Sequence, residues 1–134
     1  IGEGPIKNKM INLIKELDLG DRVLIEGKLS REKLKERMSS AYLGIWPSLT
    51  DISPNSMLEA LSLNVPILSS SEIGFDWLKD KIMVFNPKEV SDITKTINYL
   101  LDSENYKAYQ KNINDISYEY TYSQAAEDTI NILK

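Results

Sequence analysis

The stretch LGIWPSLTDISPNSMLEALSLNVPIL, residues 43–68, decides the fold of this chain. It begins with a short apolar run at residues 43–46 and closes with a second one at residues 65–68. Between these runs, residues 54–63 place apolar side chains at helical spacing. Two apolar strands joined by a helix predict a βαβ unit, in which the strands are parallel and the crossover is right-handed.

The same alternation of strands and helices continues on both sides of this unit. Upstream, a helical pattern stops at Gly20, residues 23–26 form an apolar strand, and Ser30 is a good N-cap for the next helix. Downstream, residues 82–85 form a fourth strand, and further helical patterns follow, the last one capped by Ser123. The order predicts one α/β domain over residues 1–134, a Rossmann-like open parallel sheet with helices on both faces.

The composition excludes several classes of protein. The 134 residues include no Cys and no His, which excludes disulfides, thiolate metal sites, His-dependent hydrolysis and the usual zinc chemistry. We therefore expect no metal and no cofactor. A net charge of -4 argues against nucleic-acid binding. Because no apolar run approaches the ~20 residues of a membrane helix and no signal-peptide pattern is visible, the predicted location is the cytoplasm.

The loop and helix after residues 43–46 carry the strongest functional signal. Ser53 is a good N-cap, and Pro54 suits the first helical position, where its missing N–H has no cost. The helix therefore starts at the carboxyl end of a strand, where open parallel sheets bind their ligands. Free backbone N–H groups at Asn55, Ser56 and Met57, together with the helix dipole, predict an anion site suited to a diphosphate.

Two carboxylates belong to this segment. Asp51 lies in the loop just before the helix, and Glu59 shares a helix face with Asn55. The spacing also fits an ordinary structural interpretation, in which Ser53 merely caps a helix and Glu59 is a solvated surface residue. Spacing alone favours this structural interpretation.

Residues 69–75 follow the strand at 65–68. Residues 69–71 are three serines, interpreted as a polar loop at the carboxyl end of the strand. Gly74 is expected to give flexibility to the segment after them. Trp46 and Trp77 are interpreted as packing residues rather than as platforms for stacking a ligand.

Four segments share their order and spacing with a known family. They are GEGP at residues 2–5, DRVLIEG at 21–27, AYLGIWPS at 41–48 and LEALSLNVPI at 58–67. With them, the chain resembles the C-terminal lobe of retaining glycosyltransferase family four, which has the two-lobed GT-B fold. The resemblance implies a donor-binding lobe without the N-terminal acceptor lobe of the same enzyme. It also implies that the family's basic Arg and Lys residues for the diphosphate belong to a preceding segment.

The resemblance implies roles for the candidate residues as well. The family's hallmark is a pair of glutamates separated by seven residues, and Asp51 and Glu59 occupy these positions. Glu59 would hold the ribose hydroxyls, Asp51 would be the catalytic carboxylate near the reacting carbon of the sugar, and Gly27 would admit the base. The alternative for Gly27 is an ordinary strand terminator. Asp51 is one methylene shorter than the family's Glu, and residues 53–56 replace the usual glycine-rich stretch. Asn64 replaces a common Gly, and its tolerance of left-handed dihedrals preserves the helix end.

The implied partners follow from the family. The donor would be a nucleotide sugar such as a UDP-, GDP- or ADP-sugar, and the acceptor a glycan or a lipid-linked molecule. Such an enzyme of polysaccharide biosynthesis works in the cytoplasm or at the inner face of the membrane. A basic run is interpreted first as a solvated helix face and second as a contact with anionic lipid headgroups. The run consists of Lys28, Arg31, Lys33, Lys35 and Arg37.

Two other functions remain open at this point. A phospho-acceptor receiver domain shares the length, the alternating pattern and an Asp after a strand. It requires an acidic pair near its first strand and a late Lys around a magnesium ion, whereas here only Glu3 lies near the start and Lys88 has the wrong context. A relative that binds nucleotide sugars without catalysis is the other alternative, because Asp51 is shorter than Glu.

Overall fold

The computed structural model describes residues 1–52, 54–117 and 121–133. The chain divides into two compact units, residues 1–40 and 41–134. The first contains helices α1 (Lys7–Glu16) and α2 (Arg31–Ser39). The second contains, in chain order, β1 (Gly44–Trp46), α3 (Asn55–Ser62), β2 (Ile67–Ser70), α4 (Asp76–Lys79), β3 (Met83–Phe85), α5 (Val90–Leu101), α6 (Ser103–Asn114) and α7 (Tyr122–Ile132).

The second unit is built on a parallel sheet with the order β1-β2-β3. Gly44 lies opposite Ile67 at one end, and Ser70 lies opposite Phe85 at the other. All four residues of the central strand β2 are buried, as expected for a strand that is covered on both faces. Helix α3 packs against β1 and β2, and α5 packs against β3. The predicted fold class, a Rossmann-like open parallel sheet, is confirmed.

The predicted strand at residues 23–26 is wrong. The N–H of Val23 donates to the carbonyl of Leu19 in the turn after α1, so it is not available to a sheet. One backbone bond does reach this segment, from the N–H of Gly2 to the carbonyl of Glu26 at 2.9 Å. The described residues of the first unit therefore contain no strand, although its sequence is apolar enough to suggest one.

Strand β2 begins two residues later than the sequence pattern predicts. The N–H of Val65 is used to close helix α3 on the carbonyl of Ala60, so pairing starts at Ile67. Ser69 and Ser70 consequently belong to the strand and are fully buried, and the prediction of a polar loop at these two positions is wrong.

Helices α1 and α3 end in the same way. Asn64 has a φ of 57°, and its N–H donates to Leu61 while the N–H of Val65 donates to Ala60, which together form a Schellman motif. The prediction that Asn64 preserves the helix end is confirmed. Helix α1 closes with the equivalent bonds around Asp18, at a φ of 51°, so the helix stops there and not at Gly20.

The predicted N-cap is correct for α2 and wrong for α7. Ser30 caps α2 by accepting a hydrogen bond from the N–H of Lys33, as predicted. The cap of α7 is Thr121 and not Ser123, because Thr121 and Gln124 form a reciprocal capping box. Asp102 caps α6, a start that the sequence analysis missed.

Tyrosine hydroxyls tie the helices to the amino end of the sheet. The buried hydroxyl of Tyr109 on α6 donates to the carbonyl of Ile67 at 2.5 Å and accepts from the N–H of Met83 at 3.0 Å. These two groups belong to the first residues of β2 and β3. Before β1, Tyr42 stacks on Tyr106 with ring centroids 3.9 Å apart. The Tyr42 hydroxyl donates to the carbonyl of Leu100, and the Tyr106 hydroxyl donates to that of Tyr42, both at 2.7 Å.

Candidate functional site

The loops that follow β1 and β2 meet at the carboxyl end of the sheet. Asp51 and Ile73 form an isolated parallel bridge beyond the ends of the two strands. The N–H of Gly74 donates to the carbonyl of Asp51 at 2.8 Å, and the N–H of Asp51 donates to that of Glu72 at 3.4 Å. Asp51 is half-buried, and Ile73 is almost completely buried and anchors the second loop. The structure therefore pairs the candidate catalytic residue with a segment some twenty residues further along the chain.

Gly74 has a steric role in this pairing. A Cβ atom at this position would lie 2.4 Å from the carbonyl oxygen of Ile52 and 3.0 Å from its carbonyl carbon. Both neighbours are backbone atoms, which a larger residue could not displace without moving the loop. The sequence predicts flexibility at Gly74, whereas the structure shows a position that must be glycine to let two backbones approach.

The start of α3 differs in detail from the prediction. Pro54 is the N-cap and not the first helical residue, with a φ of -73° and a ψ of 76°, and its own side chain makes no capping hydrogen bond. The predicted N-cap, Ser53, lies outside the described residues. The N–H of Met57 already donates to the carbonyl of Pro54 at 2.8 Å, so the prediction of a free N–H at Met57 is wrong. Its side chain is fully buried and belongs to the core.

Ser56 is the exposed hydroxyl at the first turn of α3. The indole N–H of Trp46, at the end of β1, donates to the Ser56 Oγ at 2.9 Å. The hydroxyl keeps its own proton for a further acceptor, because a serine can accept one bond and donate another. Sequence reasoning treated Trp46 only as a packing residue and missed this bond, which joins residues ten positions apart.

Glu59 and Asn55 are both exposed on α3, one helical turn apart. Among the described residues, no hydrogen bond or ion pair of the Glu59 carboxylate is found. The carboxylate is therefore available to a ligand such as a diol. An exposed carboxylate also has the geometry of an ordinary surface residue, so its position agrees with both interpretations of the sequence.

Gly27 lies in the first compact unit and follows the segment at residues 23–26. A Cβ atom there would meet the Glu3 Oε1 at 2.6 Å, which is the far end of a flexible side chain. The Glu3 carboxylate is also paired with Lys7 at 3.0 Å. The nearest atom to this position is thus the end of a flexible side chain, and the role of Gly27 in admitting the base stays a prediction.

The basic run, four members of which lie on α2 and one just before it, is exposed, and Arg37 is paired. The Arg37 guanidinium contacts the Glu26 Oε1 at 2.9 Å. No residue of α2 is buried, which agrees with the interpretation of the basic run as a solvated helix face. Within the described ranges, no helix is long and apolar enough to cross a membrane, and no group of three or more acidic residues could hold a metal ion.

A parallel sheet whose strand-end loops meet beside the start of a helix defines the Rossmann-like class of α/β protein. The chain belongs to the glycosyl transferases group 1 family, whose model matches residues 1–117. It is 32% identical over 108 residues to protein CapJ of Staphylococcus aureus, which covers 80% of this chain and 27% of CapJ. It is 36% identical over 72 residues to an uncharacterized glycosyltransferase, MJ1059, of Methanocaldococcus jannaschii, over 52% of this chain and 17% of that protein.

Solved structures show the same fold at low sequence identity. Sucrose-phosphate synthase from Thermosynechococcus elongatus matches 98% of this chain with a TM-score of 0.71 and 18% identity, over 36% of its own length. Anabaena HepE in complex with UDP and glucose matches 91% of this chain with a TM-score of 0.70 and 16% identity, over 31% of its length. The chain thus spans about a third or less of each of these four proteins.

Proposed function

We propose that this chain is the donor-binding lobe of a retaining glycosyltransferase and that it binds a nucleoside-diphosphate sugar at the carboxyl end of its sheet. The observation that carries the proposal is the position of Glu59. This residue is exposed on the helix that starts beside the Asp51 loop, in a chain of the glycosyl transferases group 1 family. HepE, which shares the fold, was solved with UDP and glucose, and this supports a nucleotide-sugar donor here.

The start of α3 would hold the diphosphate. The N–H groups of Asn55 and Ser56 lie in the first turn, where the helix dipole favours negative charge. The hydroxyl of Ser56, which accepts the Trp46 N–H, has its proton left to donate to a phosphate oxygen. The oxygens of an ionised diphosphate accept hydrogen bonds and do not donate them. A hydroxyl that still has its proton to donate therefore suits this ligand. Stabilising the departing diphosphate would be the main electrostatic contribution of this helix to catalysis.

The two carboxylates would hold the two sugars of the donor. Glu59 would accept hydrogen bonds from the ribose hydroxyls, since charged acceptors make stronger bonds. Asp51 would approach the transferred sugar near its reacting carbon and orient it while the acceptor attacks on the face that the diphosphate leaves. Gly27 would admit the base, and Ser53 stays in the predicted donor-binding set. Met57 leaves this set, because its N–H already donates to a backbone carbonyl and its side chain is buried. No metal or separate cofactor enters this scheme.

The remaining partners belong to the same proposal. The acceptor would be a glycan or a lipid-linked molecule, bound by an N-terminal lobe of the same enzyme, in the cytoplasm or at the inner face of the membrane. Without that lobe, this chain is expected to bind nucleotide weakly and to transfer no sugar. Membership in the glycosyl transferases group 1 family argues against the receiver-domain alternative.

A thermal-shift panel of UDP, GDP, ADP and their sugars tests the proposal. A ligand at ten times its Kd stabilises the folded chain by about 1.4 kcal/mol, which raises the Tm by a few degrees. Replacing Glu59 with Ala should raise the Kd of the selected nucleotide about tenfold, because a charged acceptor for two hydroxyls is lost.

Glu127→Ala is the matched control, because Glu127 is also an exposed helical glutamate but lies on α7. It should leave the Kd unchanged. If no nucleotide raises the Tm, or if both variants lose the same affinity, then Glu59 does not hold the ribose and the proposed site is wrong.

A further inference from the structure

The backbone contact between the two strand-end loops involves a residue that the proposed function leaves without a role. Gly74 lies on the second loop, and its N–H holds the carbonyl of Asp51 at 2.8 Å. Together with the bond from the Asp51 N–H to Glu72, it makes both backbone polar groups of Asp51 part of a bridge. The backbone of Asp51 is therefore held from both sides by a segment that is distant in sequence.

The two backbones approach each other closely at Gly74. The space that a side chain at Gly74 would need is filled by the carbonyl group and Cα of Ile52, the residue next to Asp51. These contacts involve main chain only, so the position of residues 51–52 depends directly on the absence of a Cβ at Gly74. Any larger residue would push the Asp51 loop away from the second loop.

The second loop is itself firmly attached to the sheet. Ile73 is 1% exposed, so its side chain anchors the loop in the core. The Oγ of Ser70, at the end of β2, accepts the N–H of Glu72 at 3.2 Å, and the N–H of Ser71 donates to the carbonyl of Phe85 at 2.9 Å. Because the second loop is fixed to the sheet, its contact through Gly74 also fixes the Asp51 loop relative to the sheet.

We infer that Gly74 is a positioning residue that places the Asp51 carboxylate against the transferred sugar of the donor. This inference rests on the proposed function. Asp51 has one methylene less than a glutamate at this position would have, so its reach is shorter and its backbone must be placed closely. Holding residues 51–52 against the second loop supplies this placement. Gly74 itself touches neither substrate nor reacting atoms.

If Gly74 positions Asp51, a substitution at Gly74 should change the affinities for nucleotide sugar and nucleoside diphosphate differently. A purely structural defect would change both together. Asp51 is assigned to the transferred sugar, whereas Glu59 and the start of α3 are assigned to the nucleotide. Moving the Asp51 loop should weaken binding of the nucleotide sugar and leave binding of the nucleoside diphosphate nearly unchanged.

The experiment compares UDP with UDP-glucose, or the corresponding GDP or ADP pair if that pair gives the largest thermal shift. Kd values come from NMR titrations of the backbone amides of the 134-residue chain, which report weak binding directly. For Gly74→Ala, we expect the Kd of the nucleotide sugar to rise about tenfold and that of the diphosphate to change less than twofold. Gly20→Ala is the matched control, because a Cβ at Gly20 meets no atom within 4 Å.

A double-mutant cycle with Asp51→Ala tests whether Gly74 acts through Asp51. If it does, Gly74→Ala has no further effect on nucleotide-sugar binding once the Asp51 carboxylate is removed. Equal weakening of both ligands by Gly74→Ala, or an undiminished effect in the Asp51→Ala background, would overturn the inference. A wild-type chain that binds neither ligand would instead contradict the proposed function, so the two failures are distinguishable.

If Gly74→Ala does not fold, hydrogen exchange in the wild-type chain tests the same inference. The Gly74 amide should be protected in the free chain and more strongly protected with the nucleotide sugar than with the diphosphate. An unprotected Gly74 amide, or equal protection with both ligands, would show that this backbone bond does not position Asp51.

Discussion

The amino end and the carboxyl end of the parallel sheet satisfy their polar groups by different means. At the amino end, the Tyr109 hydroxyl bridges β2 and β3, and the stacked pair of Tyr42 and Tyr106 ties a helix to the chain before β1. At the carboxyl end, main chain pairs with main chain around Asp51 and Gly74. Side-chain hydroxyls thus hold the amino end together, whereas backbone pairing holds the Asp51 loop at the carboxyl end.

This comparison predicts where stability and where binding can be changed independently. Substitutions at the amino end should lower the free energy of unfolding without a direct effect on a ligand. Substitutions of exposed polar groups at the carboxyl end, such as Glu59→Ala, should leave the free energy of unfolding nearly unchanged and act on binding instead.

The largest effect is expected from alkaline pH. Burial raises the pKa of Tyr109 to about 12, although the bond from the Met83 N–H acts in the opposite direction. Above pH 10 the unfolded chain releases this proton and the folded chain retains it, so the free energy of unfolding falls between pH 10 and 12. Two pKa units correspond to about 3 kcal/mol, measured as urea unfolding at several pH values.

Tyr109→Phe is the control for this pH dependence. It removes the titrating group, so the slope of stability between pH 10 and 12 should become smaller. A residual slope of the same sign is expected, because burial and the neighbouring Tyr42 also raise the pKa of Tyr106. An unchanged slope in Tyr109→Phe would show that Tyr109 does not stabilise the amino end in this way.

Tyr42→Phe should have a smaller effect. The ring can still stack on Tyr106, but the bond from its hydroxyl to the carbonyl of Leu100 is lost. The loss of one partly buried hydrogen bond costs about 1 kcal/mol in the free energy of unfolding. Urea unfolding at neutral pH measures it, and an increase in stability would argue against the role of this hydroxyl.

Ser71→Ala, at the carboxyl end of the sheet, should have the smallest effect on the free energy of unfolding. Ser71 is exposed, and its hydroxyl donates to the neighbouring Glu72 carboxylate at 3.3 Å. The free energy of unfolding should change by less than about 0.5 kcal/mol. A cost equal to that of Tyr42→Phe would remove the distinction between the two ends of the sheet.

The sequence predicted the alternation of strands and helices well, because apolar runs and helix stops are local signals. Residues 43–46, 65–68 and 82–85 each correspond to a strand of the sheet to within two residues. The failure at residues 23–26 has a different origin, since a strand requires hydrogen-bonded neighbours as well as apolar side chains. Nothing local in that segment shows that the Val23 N–H is used in a turn.

The candidate site was predictable only where its residues are close in sequence. Glu59 and Asn55 share a helix face, and their spacing of four residues is enough to show it. The partner of Asp51 could not be found in this way, because Gly74 approaches it through the fold and not through the chain. The same applies to Tyr109, whose hydroxyl reaches a carbonyl 42 positions away.

The bond between Trp46 and Ser56 has a practical consequence for optical measurements. Indole emission depends on the hydrogen bond of the ring N–H, and this N–H donates to Ser56 in the first turn of α3. The other tryptophan, Trp77, lies on α4, close to Phe75 and with the Lys81 amine above its ring. In a Trp77→Phe background, the tryptophan emission of the chain therefore comes from Trp46, whose ring N–H is bonded to the helix end where the diphosphate would rest.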